Sequence, residues 1–141
     1  MTVTLALPSK GRLRDQSLEI LAREFSERSG VEVTSELESV DLDESRQLTV
    51  YRLVQESLTN VVRHANAKRA WVELGSDDGF YTVVVRDDGE SPPAHDDGGR
   101  GLLGMHERAE LLGGTLSAGP AADGGFRVEA RIPMRTREAV E

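Results

Sequence analysis

The chain has no cysteine, few aromatic residues and no long apolar run. Without cysteine it can form neither disulfides nor thiolate metal sites, and this composition fits a reducing compartment. No segment approaches the roughly 20 apolar residues of a membrane-spanning helix, and the N-terminus lacks the basic and apolar regions of a signal peptide. We therefore expect a cytoplasmic location and no membrane contact by this segment.

Basic charge is scarce as well. The 141 residues include 17 Lys and Arg against 25 Asp and Glu, for a net charge of -8. This balance disfavours non-specific attraction to nucleic acid, so no nucleic-acid partner is expected. The length is that of one domain that can bury a core without disulfides or a structural metal.

Apolar residues recur at helical spacing in three segments. The pattern predicts helices over residues 15–28, 44–64 and 102–112, of which the second is capped by Asp43 and the third is ended by Gly113 and Gly114. In the second helix the predicted apolar stripe consists of Leu48, Tyr51, Val54, Leu58 and Val61.

Alternating and β-branched runs predict the strands. They cover residues 31–37, 70–74, 80–85, 115–118 and 126–132, and the Asp78-Gly79 pair favours a tight hairpin between the second and third of them. Residues 90–101 lack periodicity and are rich in glycine and proline, which predicts a mobile loop.

Three polar motifs follow one another along this pattern. Glu56 and Asn60 share one helical face and can reach a single metal-phosphate centre. For such a pair alone a solvated helix face is the more common explanation, and the motifs downstream favour the metal-phosphate centre. Asp87 and Gly89 follow a valine-rich strand, where an ordinary turn is the alternative. The third motif is glycine-rich, with Gly99, Gly101 and Gly104.

The glycine spacing also matches the dinucleotide-binding fingerprint. That fingerprint requires a strand running directly into the turn, whereas about a dozen loop residues separate Asp87 from Gly99. We therefore interpret these glycines as exposing backbone N–H groups and a helix start to phosphates, with a flexible connection as the alternative.

Together the motifs resemble those of the ATP-binding domain shared by sensor histidine kinases, type II topoisomerases and the ninety-kilodalton heat-shock chaperones. The resemblance extends over about residues 25 to 133 and is strongest to kinases of the nitrate-sensor and DesK type, through Gln55 to Asn60 with His64-Ala65, and Gly101 to Met105 with Glu107 to Ala109 and Gly113-Gly114. It implies a two-layer α/β sandwich with helices on one face of a mixed, mainly antiparallel sheet.

The resemblance also implies roles for individual residues. Asn60 would bind Mg²⁺ and Glu56 would act as general base, while Asp87 would accept a hydrogen bond from the adenine amine beside Gly89. Phosphates would lie at the start of the third helix, and the loop before it would close over ATP. The residues assigned to this phosphate region are Gly99, Arg100, Gly101 and Leu102. The family usually has a second glycine where this chain has Ser91.

The implied reaction transfers the γ-phosphoryl group of Mg-ATP to a histidine on a separate dimerisation domain, in a system that includes a response regulator. None of His64, His95 and His106 has the surroundings of a phosphoacceptor, and residues 1–24 are too few to hold the hairpin that carries one. A regulatory module that binds ATP without transferring phosphate would need the same pocket, so it stays an alternative.

The N-terminal residues carry a second, weaker resemblance. Residues 1–21, with Leu5 to Leu13 at their centre, are similar to the opening of ATP phosphoribosyltransferase, so a fragment of that enzyme is a third hypothesis. We interpret residues 1–24 as a leader that could add a strand to the sheet edge, 25–133 as the ATP-binding domain and 134–141 as a flexible tail.

Overall fold

Six strands and three helices make up the fold of the computed structural model, which describes residues 2–3, 13–38, 42–89, 98–122 and 124–134. In chain order they are β1 (Thr2–Val3), α1 (Leu13–Ser29), β2 (Glu32–Leu37), α2 (Glu44–Asn60), β3 (Arg69–Asp77), β4 (Phe80–Asp87), α3 (Gly98–Leu111), β5 (Thr115–Pro120) and β6 (Phe126–Pro133). A π-helical turn, Val61–Ala65, continues α2. Among the described residues, no helix is long and apolar enough to span a membrane.

The strands form one sheet in the order β1-β2-β3-β4-β6-β5. β2 pairs in parallel with β1 and β3, and the other three pairs are antiparallel. The two-residue connection between β3 and β4 has positive φ at Asp78 (56°) and Gly79 (82°), the geometry that matches the twist of a hairpin. The predicted two-layer α/β sandwich with a mixed, mainly antiparallel sheet is confirmed.

One core joins the sheet to the helices. The inward positions of β3 and β4 alternate with outward ones, so that Val72 pairs with Val85 while Trp71 and Arg86 lie on the opposite face. The helices contribute buried apolar side chains to this core, namely Leu18 and Ala22 of α1, Val50, Leu53, Val54 and Leu58 of α2, and Met105 and Ala109 of α3.

The predicted stripe of α2 is correct in part. Val54, Leu58 and Val61 are buried, and Tyr51 packs against the core. Leu48 is 55% exposed, so its placement in the core was wrong. It precedes the buried Val50 by two residues, a rotation of about 200° that puts it on the opposite side of the helix.

The first turn of α2 is held by hydrogen bonds of Asp43 and Arg46. Asp43 has extended backbone and its carboxylate accepts the N–H of Arg46 at 2.8 Å, which confirms the predicted cap. Arg46 is only 2% exposed; its guanidinium donates to the Asp43 carboxylate at 2.8 Å and to the Pro133 carbonyl at 2.6 Å. These bonds tie the start of α2 to the end of β6.

The N-terminal part of the chain is continuous with this fold. Helix α1 runs across residues 24 and 25, and Leu18 and Ala22 are 1% exposed in the core, so the boundary placed at residue 24 does not coincide with the end of an element. β1 pairs with β2 and lies at the edge of the sheet, as the sequence predicted for this segment. Residues 4–12 and positions 135–141 of the predicted tail lie outside the described residues. Met134, with which that tail was predicted to begin, packs against the core and donates its N–H to the Gly79 carbonyl at 3.0 Å, so the start of the tail was wrong.

Candidate functional site

Asp87 occupies the last position of β4 on the face of the sheet that the helices cover. It follows Tyr81, Val83 and Val85 in the alternation, and it is 5% exposed. Its Oδ1 accepts the N–H of Gly89 at 2.8 Å, and the carboxylate also accepts the N–H of Phe126. A carboxylate has about four acceptor positions, so two backbone donors leave capacity for a ligand.

The next residue, Asp88, binds the backbone of the neighbouring strand. It is exposed, and its Oδ1 accepts the N–H groups of Lys68 and Arg69, each at 3.0 Å. Its own N–H donates to the Arg69 carbonyl at 3.2 Å. Asp88 therefore fastens the end of β4 to the start of β3, and this holds Asp87 in register.

The two carboxylates also differ electrostatically. Burial raises the pKa of Asp87, the Coulomb repulsion of Asp88 adds to this, and the N–H groups of Gly89 and Phe126 offset only part of it. Burial also acts on Asp88, but there the N–H groups of Arg69, Lys68 and Asp88 itself, together with the charge of Arg69, outweigh it, so the pKa of Asp88 lies below its ordinary value. A buried carboxylate whose ionised form is poorly compensated is typical of a ligand-binding group.

Glu56 and Asn60 lie on α2, one of the helices that cover the face of the sheet carrying Asp87. Both are half-buried, as expected for side chains on the flank of the buried stripe. Ser57, between them, is 3% exposed, and its hydroxyl lies 3.5 Å from the Met105 sulfur of α3. The face that carries Glu56 and Asn60 therefore adjoins the contact between α2 and α3.

Asn60 is also the last α-helical residue before the π turn. The helix widens immediately after it, and the turn ends at Asn66 in the left-handed conformation, with φ 51°. The Asn60 side chain makes no capping hydrogen bond to this turn. Single π-helical turns inside α-helices are frequent at functional sites.

The glycine-rich segment differs from the prediction. Helix α3 begins at Gly98 rather than near Leu102, so Gly99, Arg100 and Gly101 are in its first turns and not in the preceding loop. The environment of their side chains lies outside the described part of the structure, as do residues 90–97 with the predicted closing loop and Ser91. Leu102 is half-buried and packs against the core, which gives it a structural contact of its own.

Helix α2 packs against both β4 and α3, so the elements that bear the three predicted motifs adjoin one another. Sequence reasoning missed two members of the surroundings of Asp87. Gly125 lies between the last two predicted strands and Phe126 begins the last one, and both contact the end of β4. The Gly124-Gly125 pair was the available signal, but its partner strand could not be read from the sequence.

Comparison with known proteins gives the family that the sequence motifs resemble. Residues 45–136 match the family described as histidine kinase-, DNA gyrase B- and HSP90-like ATPase. The chain is 36% identical over 121 residues to the sensor histidine kinase YxjM of Bacillus subtilis, a match that covers 82% of this chain and 29% of that protein. It is 38% identical over 100 residues to the histidine-protein kinase/phosphatase UhpB of Salmonella typhimurium, covering 70% of this chain and 20% of that protein.

A solved structure shows the same fold. The blue-light activated histidine kinase of Erythrobacter litoralis superimposes with a TM-score of 0.73 at 22% identity, over 88% of this chain and 42% of that one. The chain thus spans less than a third of the length of the two curated relatives. On the match of residues 45–136 and these identities, the chain belongs to the family of histidine kinase-, DNA gyrase B- and HSP90-like ATPases and comprises its ATP-binding domain.

Proposed function

We propose that this domain binds Mg-ATP and donates the γ-phosphoryl group to a histidine on a separate dimerisation domain, in a two-component system with a response regulator. The observation that carries the proposal is Asp87, a 5% exposed carboxylate with two backbone donors and remaining acceptor capacity. The exocyclic amine of adenine supplies the missing donor. Guanine presents a carbonyl oxygen at that position and would be repelled.

Asn60 is the proposed ligand of Mg²⁺. Its amide oxygen is the hard, neutral donor that this ion accepts, and the side chain is half-buried on α2 without a capping hydrogen bond. Mg²⁺ usually takes few protein ligands and keeps waters and phosphate oxygens, so one amide beside a triphosphate fits it. When bound, the ion would neutralise charge on the phosphates.

Glu56 is the proposed general base. It stands one helical turn before Asn60, and its half-buried position leaves the carboxylate accessible from the flank of α2. It would accept the N–H proton of the attacking imidazole while the other ring nitrogen forms the bond to the γ-phosphorus and the bond to ADP breaks. The first turn of α3, with Gly99, Arg100 and Gly101, would face the phosphates.

The test combines binding with transfer. Isothermal titration calorimetry with ATP, with and without Mg²⁺, measures binding, and labelled phosphate on an added dimerisation domain that carries the histidine measures transfer. Glu56→Gln should keep ATP affinity within about twofold and lower transfer by about 10²–10⁴-fold, because it preserves shape and removes the base. Asn60→Ala should weaken only the Mg²⁺-dependent part of binding.

Glu44→Gln provides the matched control. It makes the same chemical change on the same helix at an exposed position about 18 Å from Glu56 along the axis, and it should leave transfer unchanged. If Glu56→Gln and Asn60→Ala both lose nucleotide equally with and without Mg²⁺, these residues only support the helix. If the domain binds ATP but transfers no phosphate to any supplied histidine, it is the regulatory module instead.

A further inference from the structure

The end of the turn between β5 and β6 contacts the main chain of Asp87, the residue whose carboxylate is proposed to bind adenine. Gly125 is buried, with φ +84°, and a Cβ atom built on it would overlap the carbonyl oxygen of Asp87 and lie 2.9 Å from its carbonyl carbon. That Cβ would also lie 3.2 Å from the Cα of Asp88. Only glycine therefore allows this turn to approach the end of β4 so closely.

The residue after this glycine reaches the side chain itself. The N–H of Phe126 donates to the Asp87 carboxylate, on the side of β4 where β6 pairs. The antiparallel register runs as far as Arg86 opposite Arg127, so the next positions of the two strands are Asp87 and Phe126. Phe126 thus begins β6 directly across from the carboxylate that its N–H holds.

Two hydrogen bonds join the described residues of this turn. The Ala121 N–H donates to the Gly125 carbonyl at 3.0 Å, and the Gly124 N–H donates to the Ala121 carbonyl at 3.1 Å. Asp88 is held separately on the N–H groups of Lys68 and Arg69. The Asp87 carboxylate is consequently oriented by one donor beyond its own strand end, Gly89, and by one from the residue that follows this turn, Phe126.

We propose that the β5–β6 turn is a positioning element for nucleotide selection: Gly125 lets the turn close against the main chain of Asp87, and the Phe126 N–H fixes the carboxylate in the orientation that accepts the adenine amine. The inference rests on the proposed function only for the identity of the ligand. Loss of the turn should therefore reduce the preference for adenine more than it reduces binding of the triphosphate.

The first experiment needs no nucleotide. In a pH titration of the wild-type chain followed by ¹⁵N–¹H correlation spectra, the amide signals of Phe126 and Gly89 should both shift with the midpoint of the Asp87 carboxyl signal. Asp87→Asn should abolish both shifts. A Phe126 amide that does not follow Asp87 overturns the inference even where ATP binding proceeds as proposed.

The second experiment compares two glycines of the same turn. Gly125→Ala places a methyl group against Asp87, whereas Gly124→Ala, also at positive φ (+99°), meets nothing within 4 Å and controls for backbone strain. The preference for ATP over inosine triphosphate should fall about tenfold in Gly125→Ala and stay within twofold of wild type in Gly124→Ala. The pH midpoint of the Asp87 carboxyl titration should also rise in Gly125→Ala and stay unchanged in Gly124→Ala.

The outcomes separate the two proposals. If Gly125→Ala keeps the wild-type preference, or if both variants lose it equally, the turn has no specific positioning role. If the wild-type chain does not bind ATP, the proposed function fails, while the coupled titration of Asp87, Gly89 and Phe126 still decides whether the turn orients the carboxylate.

Discussion

Replacing Asp87 with asparagine separates what this residue contributes to binding from what it costs the fold. Asparagine keeps the size of the side chain and removes its charge. If its amide oxygen continues to accept the N–H groups of Gly89 and Phe126, its NH₂ group faces the ligand. If it turns the other way, the two backbone donors lose their acceptor.

The magnitude follows from the bond that is lost. Hydrogen bonds to charged groups contribute roughly 1.5–3 kcal/mol, and each 1.36 kcal/mol is a factor of ten. We therefore expect ATP affinity to fall by roughly 10- to 150-fold in Asp87→Asn. Binding of inosine triphosphate, which has a carbonyl oxygen in place of the amine, should fall much less because the new NH₂ group can donate to it.

Stability should change in the opposite direction. The pKa of Asp87 is raised in the folded state, chiefly by burial, so the folded protein holds this proton more tightly than the unfolded chain. That contribution is complete below the unfolded-state pKa of about 3.9 and is lost as the pH rises through the folded-state pKa. At neutral pH the ionised Asp87 is therefore a cost, which Asp87→Asn removes.

Two measurements test this reasoning. Calorimetry with ATP and inosine triphosphate at pH 7 gives the change in preference, and urea unfolding from neutral to acid pH gives the change in stability. The variant should unfold at higher urea than wild type at neutral pH, and the difference should shrink in acid. Unchanged ATP affinity would remove Asp87 from the site, and a variant less stable at neutral pH would contradict the electrostatic argument.

Four further substitutions, of which one is a control, test the fold around the site. Gly114→Ala should cost more than about 3 kcal/mol, since its Cβ would overlap a backbone carbonyl of β6, whereas Gly119→Ala meets nothing within 4 Å and should be tolerated in thermal unfolding. Arg46→Met should cost about 2–4 kcal/mol by urea unfolding, because it leaves the Pro133 carbonyl and a capping carboxylate without their buried donor. Asp88→Asn should lower stability at neutral pH; since the pKa of Asp88 is lowered in the folded state, the wild-type advantage should disappear as the pH falls through that value.

Local signals carried most of the secondary structure. Asp43 caps α2 because its carboxylate is three residues from the N–H that it accepts, and the Asp78-Gly79 pair turns the hairpin because both residues tolerate positive φ. Gly113, at φ +80°, ends α3 as predicted. Each of these features depends on neighbours within one turn of chain, so composition and spacing were sufficient.

Burial and strand pairing could not be predicted from such local patterns. The periodicity of α2 placed Leu48 on the apolar stripe, and only packing against the sheet selected Val50 and Leu53 instead. The glycine-rich segment read as loop because glycine lowers helix propensity, yet α3 begins at Gly98.

The candidate site divides in the same manner. The sequence by itself brought Glu56 and Asn60 onto one helical face and singled out Asp87 from its motif, and it determined the family to which these motifs are similar. Which residues beyond its own strand hold Asp87 depended on β6 lying beside β4 rather than on any local pattern. Gly125 and Phe126 reach Asp87 because the sheet brings distant strands together, and pairing between strands that are not consecutive leaves no periodic signal in the chain.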